Sequence, residues 1–293
     1  PSTDITELAL GRVLARLGWF YCDIGFWEKS ATTCHEAIRI LRQYDSPEDL
    51  LSALDSCQNT VEFLNQIDRS LNITQEGLAI ARSIGDKGWE GQFLRWAALD
   101  SVMTGDLASA LHFATESISI LEAYGDNWSI LRAYHVLAHV KIEQGNYEQA
   151  SHLFQQAVTL STAFGHAFSS AMFNVYIGRI ALNERNHMTA RLYLRTALRV
   201  FWDAGYKWVG YLPLVYIVQM FVDQNELDYA AEILAASSNH PISFLGIDEV
   251  AQALASQLQT QMEPERFAAA WARGEKRELS AVVTTLLVEL EDT

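Results

Sequence analysis

Hydrophobic side chains recur every three or four positions along most of the chain, with polar side chains between them. Two neighbouring segments show this clearly, with apolar positions at Leu131, Tyr134, Leu137, Ala138 and Ile142, and at Ala150, Leu153, Phe154, Ala157, Val158 and Leu160. This spacing places the apolar side chains on one face of an α-helix. Each segment is therefore predicted to be an amphipathic helix of roughly fifteen residues.

The pattern repeats every 40 residues without a gap. Turn-forming residues recur at one position, apart from an arginine: Gly25, Asn65, Gly105, Gly145, Arg185 and Asn225. Small residues occupy two later positions, first Ser30, Ser70, Ala110, Ala150, Ala190 and Ala230, then Ala37, Gly77, Ser117, Ala157, Ala197 and Ser237. A further row is Gly85, Gly125, Gly165 and Gly205, with Asp45 and Leu245 departing from it at the ends. Small residues are expected where two helices approach closely, and glycine suits the turn that ends a helix.

This register predicts an all-α protein made of antiparallel helix pairs. One pair cannot bury its apolar face alone, so neighbouring pairs are expected to stack into a solenoid. We predict six helix-hairpin repeats over residues 1–245 and capping helices over residues 246–293, continuous with the solenoid. Pro264 suits the first turn of a capping helix, and Gly274 suits its end.

Composition and charge narrow the possible partners. The chain has 293 residues and a formal net charge of −15, which argues against general binding to nucleic acid or anionic membranes. No run of about 18 apolar residues could cross a bilayer. The three cysteines, Cys22, Cys34 and Cys57, lack metal-ligand spacing and suggest buried thiols in a reducing cytoplasm. The first residue is Pro1 rather than methionine, which suggests a piece of a longer polypeptide.

No sequence motif for catalysis or cofactor binding is present. The chain lacks H-E-x-x-H, G-x-S-x-G, C-x-x-C and G-x-x-x-x-G-K-[ST]. His135 and His139 share a helix face and could bind a metal, but no third ligand is arranged to complete the site. We therefore expect no enzyme activity, no metal and no cofactor.

The repeat resembles the tetratricopeptide repeat. The segment that carries the family pattern most fully contains Tyr134, Leu137, Ala138, Gly145, Tyr147, Ala150, Phe154 and Ala157. The family's usual unit is shorter and has a proline after the second helix, where this chain has glycine. The variant is similar to the helical sensor regions of bacterial signal-transduction ATPases of the STAND type, including LuxR-type regulators such as the maltose-operon activator. The resemblance implies a right-handed superhelical solenoid.

A second resemblance lies near the C-terminus. The stretch Glu265–Gly274, followed by an apolar helix from Leu279 to Leu290, is similar to the ending of many such regulators. This resemblance implies an ATPase module and an output domain upstream in the full protein. It also implies a role in signal transduction and transcription regulation in the bacterial cytoplasm.

Candidate binding residues lie on the first helix of each pair, which lines the inner, concave surface of such a solenoid. Three rows of residues, each spaced 40 positions apart, are predicted to face this surface. In the central repeats they contain the hydrogen-bonding side chains Asn59, Gln92, Arg95, Arg132, His135, His139 and Arg179. No carboxylate of the central repeats lies on these rows, and Asp55 lies one repeat away. Related repeat domains hold peptide carboxylates with Asn, Lys and Arg on the same rows. The resemblance therefore carries this role to Asn59, Arg95, His139 and Arg179, whereas Leu99 and His135 depart from the pattern.

Two interpretations of these residues remain open. In the first, the groove captures an acidic group on a peptide, a protein tail or a small anionic inducer. In the second, the same residues face solvent and are bridged to acids on neighbouring helices. Trp19, Trp96 and Tyr176 either stack on a ligand or belong to the core. The corresponding functions are a sensor or interaction domain of a multidomain regulator, and a static assembly scaffold.

Overall fold

The computed structural model describes residues 2–24, 26–64, 66–206, 209–238 and 247–291, and these residues form helices joined by short turns, without a strand. The helices are α1 (Ser2–Asp23), α2 (Trp27–Leu41), α3 (Pro47–Phe63), α4 (Ile67–Ile84), α5 (Lys87–Met103), α6 (Leu107–Tyr124), α7 (Asn127–Glu143), α8 (Tyr147–Ala163), α9 (Ala167–Asn183), α10 (His187–Asp203), α11 (Tyr211–Asp223), α12 (Leu227–Ser237), α13 (Ile247–Gln261), α14 (Pro264–Gly274) and α15 (Leu279–Glu289). The all-α prediction is confirmed.

The chain divides into two compact units, residues 1–150 and residues 151–293. In unit 1, consecutive helices from α1 to α7 pack against one another. The first helix of each hairpin also contacts the first helix of the next hairpin: α1 contacts α3, α3 contacts α5, and α5 contacts α7. Such nearest-neighbour packing is typical of helical repeats.

Unit 2 contains most of α8 and all helices from α9 to α15. Here α9, α10, α11 and α12 pack in sequence, and α9 also contacts α11. Helix α14 lies along α12, α13 contacts α11 and α12, and α15 contacts α10 and α12. Helix α14 begins at Pro264 and ends at Gly274, as the sequence predicts. The domain boundary at residue 245 stays a prediction.

The described turns follow the predicted register. Gly105, Gly145, Arg185 and Asn225 all have positive φ, as do the four glycines of the second row. Arg185 is notable because its φ is 57° although it carries a Cβ, which is uncommon outside glycine and asparagine. Gly25, Asn65 and Leu245 lie outside the described residues.

The small residues of both predicted rows are buried. Ala110, Ala150 and Ala190 are each fully inaccessible to solvent, as expected if they occupy equivalent helix contacts. The close approach is clearest at Gly77, where an added Cβ would lie 2.1 Å from the Phe93 ring. Helices α4 and α5 therefore pack at a distance that only a residue without a side chain allows.

Candidate functional site

Eight side chains of α3, α5 and α7 form two groups: six meet around Asp55, and two histidines touch each other. Most are three, four or seven positions apart on their helix and share a face, whereas Arg95 and Trp96 are consecutive in sequence. They are Asp55 and Asn59 on α3, Gln92, Arg95 and Trp96 on α5, and Arg132, His135 and His139 on α7. We call the first six of these, from Asp55 to Arg132, the Asp55 cluster.

Asp55 is the centre of the Asp55 cluster. Its Oδ1 accepts hydrogen bonds from the Trp96 indole Nε1 at 2.6 Å and from the Gln92 amide at 3.2 Å. The Asp55 side chain is 15% exposed, so its negative charge lies in a partly desolvated position. Donors from a helix 37 and 41 residues further along the chain stabilise that charge.

Arg95 is buried beneath this surface, with only 4% of its side chain exposed. Its guanidinium lies 3.6 Å from Asp55 Oδ1 and stacks over the Trp96 ring at 3.7 Å from the centroid. Its Nε also donates to Gln92 Oε1 at 3.4 Å. Burial and a cation–π contact fix this side chain, so Arg95 orients Asp55 and Trp96.

Arg132 lies nearer to solvent, with 19% of its side chain exposed. Its Nη2 donates to Asn59 Oδ1 at 2.8 Å, and its Nη1 lies 3.7 Å from Asp55 Oδ2. The second distance is too long for a hydrogen bond, so Arg132 and Asp55 form a loose ion pair. The Asn59 amide in turn donates to the Asp55 backbone carbonyl at 2.8 Å.

His135 and His139 are one turn apart on α7 and touch each other. Their Nε2 atoms are 3.1 Å apart, and both side chains are half-buried. One imidazole must donate and the other accept in this contact, so two protonated rings would place two donors face to face. No group of three or more His, Cys, Asp or Glu side chains that could hold a metal occurs in the described part of the chain.

The seventh predicted residue, Arg179, belongs to unit 2. Its guanidinium carbon lies 5.4 Å from the Tyr176 ring centroid. Trp96 and Tyr176 are buried, with 1% and 8% of their surface exposed, whereas Trp19 is 43% exposed. The core interpretation therefore holds for Trp96 and Tyr176.

Asp55 takes part in this site although it lies one repeat away from the basic side chains in the sequence. Its carboxylate contacts Gln92, Arg95 and Arg132, because long side chains reach across from the first helices of the following hairpins. Two arginines face Asp55 here, and the charge of Arg95 also acts on the buried carboxylate of Asp100.

Comparison with known proteins supports the repeat assignment. Residues 93–163 match the tetratricopeptide repeat family. Tetratricopeptide repeats are therefore present. A curated relative, the protein kinesin light chain-related 1 of Arabidopsis thaliana, is 26% identical over 201 residues, which is 66% of this chain. The chain spans 33% of the length of that relative.

Two solved structures share the fold. A Rap protein complexed with competence and sporulation factor has a TM-score of 0.66 at 13% identity, covering 94% of this chain and 75% of that one. A STAND-type signal-transduction ATPase with a tetratricopeptide repeat sensor, from Pyrococcus horikoshii, has a TM-score of 0.62 at 15% identity, covering 94% of this chain and 43% of that one. Among the described residues, no helix is both long and apolar enough to pass through a bilayer.

Proposed function

We propose that the chain is a non-catalytic sensor or protein-interaction region of a multidomain bacterial signal-transduction ATPase or transcription regulator. It binds an acidic group of a peptide, protein or small inducer in the concave groove lined by α3, α5 and α7. The observation that carries this proposal is the stripe of Arg132, His135 and His139 on α7. It combines a loosely paired guanidinium with two imidazoles on one helix face.

Arg132 is the anchor for the acidic group. Its distance of 3.7 Å from Asp55 leaves the Coulomb attraction in place without a hydrogen bond between these two atoms. An arriving carboxylate gains a charge-assisted hydrogen bond from the guanidinium, and its planar shape matches two parallel N–H groups. Asn59, which accepts from Arg132 at 2.8 Å, keeps the side chain in place for this contact.

The two histidines extend the anchor along α7. They follow Arg132 by three and seven positions and so lie on the same face. An imidazole N–H on this face can donate to a carboxylate that Arg132 binds.

Gln92, Arg95 and Arg179 have supporting roles in this proposal. Gln92 and Arg95 hold Asp55 and Trp96 in position beneath the surface. Arg179 provides a separate positive charge on α9 of unit 2. Ligand binding changes the packing of successive hairpins, and the change passes to an upstream ATPase module. The fold shared with a protein that carries a tetratricopeptide repeat sensor and an ATPase supports this context.

The test uses an array of peptides made twice, once with a free C-terminal carboxylate and once with an amide. We expect binding by the native chain to prefer the carboxylate, and Arg132→Glu to weaken it by about 10- to 100-fold. Lys276→Glu makes the same charge change at an exposed site in unit 2 and is the control. Equal binding of both peptide forms, or no loss with Arg132→Glu in a folded chain, would refute the groove site.

A static assembly scaffold is the alternative function. The hydrogen bonds and ion pairs around Asp55 favour it, because they already bridge Gln92, Arg95 and Arg132 to an acid on a neighbouring helix. Small-angle scattering separates the two functions. A sensor changes its scattering profile when a carboxylate peptide binds, whereas a scaffold binds its partner without this change.

A further inference from the structure

A cavity of about 560 Å³ lies in unit 2 between α8, α9 and α10. Its volume is in the range of sites for small organic molecules and far exceeds the space of a single water. The described residues that line it carry no charge, and they are Val158, Thr162, Gly165, Ala167, Ser170, Asn174, Leu192, Tyr193, Thr196 and Val200.

Asn174 is the unusual residue of this cavity. It is 3% exposed, and no hydrogen bond joins its side-chain amide to another described residue. The amide is not among the polar atoms cut off from both solvent and a partner, so it opens onto the cavity that it lines. Its donors and its acceptor are therefore available to an occupant of the cavity.

The repeat register shows that the fold does not require a polar residue here. Other repeats place an apolar or aromatic residue at the position of Asn174, namely Leu14, Leu54, Leu94, Tyr134 and Leu214. Three of these leucines, at positions 54, 94 and 214, are fully or almost fully buried. Asn174 thus stands where other repeats place a leucine of the core, and it lines the cavity.

The cavity has an accessible mouth, formed by Thr162, Gly165 and Ala167, all of which are exposed. At its edge, the Thr162 and Ser170 hydroxyls form a hydrogen bond of 3.2 Å. Leu192, 57% exposed, adds an apolar side chain on α10. A small molecule can therefore reach Asn174 from solvent without passing a charged group.

We propose that this cavity binds a small, uncharged molecule that carries an amide on a short apolar chain. The Asn174 side chain donates to the ligand carbonyl and accepts from its N–H, which pairs two amides through complementary groups. Val158, Leu192 and Val200 contact the apolar chain. A carboxylate is disfavoured because no cation lines the cavity to offset its desolvation. This site is separate from the groove of α7, and its ligand differs in charge.

The experiment uses hexanamide and its charged counterpart hexanoate, with binding measured by ligand-observed NMR. A molecule of this size in a well-formed site is expected to bind with a dissociation constant on the order of 1 mM. We expect hexanoate to bind at least about tenfold more weakly, because its charge is desolvated without a partner. Asn174→Leu, which restores the residue found in other repeats, should weaken hexanamide binding by at least about tenfold.

Three further variants make the result specific. Thr162→Phe fills the mouth from an exposed position and should block hexanamide without disturbing the core. Gln156→Leu, an exposed site on α8 that does not line the cavity, should bind like the native chain. Arg132→Glu should also bind hexanamide normally, so failure of the α7 groove leaves this test intact. Equal binding of hexanamide and hexanoate, equal binding by Asn174→Leu, or no binding of hexanamide up to about 20 mM overturns the proposal.

Discussion

Two junctions between helix hairpins lie 80 residues apart, at the same position of the 40-residue repeat. Their turns have the same backbone conformation, but the space between the helices is filled in one and forms a cavity in the other. The α4/α5 junction of unit 1 turns at Gly85, and the α8/α9 junction of unit 2 turns at Gly165, both with φ of 72°. Most aligned positions of the two junctions differ in sequence. Four of these pairs concern the surface and the space beneath it, and they are Arg82 and Thr162, Lys87 and Ala167, Glu90 and Ser170, and Leu94 and Asn174.

The unit 1 junction is closed. Glu90 accepts hydrogen bonds from Arg82 Nε at 3.0 Å and from Lys87 Nζ at 2.6 Å, so an ion-pair triad covers the surface. Beneath it, Leu94 is completely buried. The matching positions of unit 2 provide a single hydroxyl–hydroxyl hydrogen bond of 3.2 Å and an amide that lines the cavity.

This difference shows which positions determine the fold and which remain free to vary. The turn residues and small residues of the 40-residue register are shared by both junctions, and they fix how closely the helices approach. The differing positions leave this turn in place, and Leu94 and Asn174 are the pair at which a buried leucine of one junction becomes an amide that lines the cavity in the other. A helical repeat can therefore acquire a ligand cavity by substitution at a few non-register positions.

The largest expected effect comes from making the closed junction resemble the open one. Leu94→Asn removes a fully buried aliphatic side chain and buries an amide in its place. We expect it to lower the free energy of unfolding by about 4 kcal/mol, measured by urea denaturation. Leu192→Asn is the control, because Leu192 is 57% exposed, and it should change stability by less than about 0.5 kcal/mol. A small effect of Leu94→Asn would mean that the α4/α5 junction tolerates an open interior.

The reverse exchange should stabilise the chain. Asn174→Leu replaces an amide that lines the cavity with methyl groups that fill part of it. We expect the free energy of unfolding to rise by about 1 kcal/mol. Asn183→Leu, near the end of α9, makes the same change outside the cavity and is the control. A loss of stability with Asn174→Leu would show that the amide has a structural role at this position.

Much of the fold could be predicted from the sequence, because its determinants repeat. The recurrence of small residues such as Ala110, Ala150 and Ala190 at a spacing of 40 predicted equivalent buried positions. The same recurrence predicted turns at residues such as Gly105 and Asn225, which have positive φ. These features depend on local backbone geometry and close helix contact, which a repeated residue type reveals directly.

The candidate sites could be predicted only in part, because they depend on contacts between repeats. The sequence rows brought Arg132, His135 and His139 to one helix face. They could not show that Asp55, on a different helix, would lie within 3.7 Å of Arg132. Asn174 was missed because one polar residue in an apolar row is informative only when the space beside it is known.

The smallest expected effect concerns the ion-pair triad of the closed junction. Hydrogen bonding from Lys87, with help from Arg82, lowers the pKa of Glu90 despite its burial. The carboxylate therefore stabilises the folded chain above the unfolded pKa of about 4.3, and this contribution is lost as the pH falls through the lower folded pKa. Arg82 and Lys87 side chains are 51% and 66% exposed, so water weakens the interaction, and Glu90→Gln should cost only about 0.5–1 kcal/mol at pH 7. The difference in the free energy of unfolding between Glu90→Gln and the native chain should shrink toward zero near pH 3, measured by urea denaturation at both pH values.

Ser170→Ala is the control. It changes the aligned position of unit 2, where neither Ser170 nor Thr162 titrates in this range, so its effect on stability should not depend on pH. If Glu90→Gln is equally costly at pH 3 and pH 7, the closed junction is held by packing around Leu94 rather than by charge.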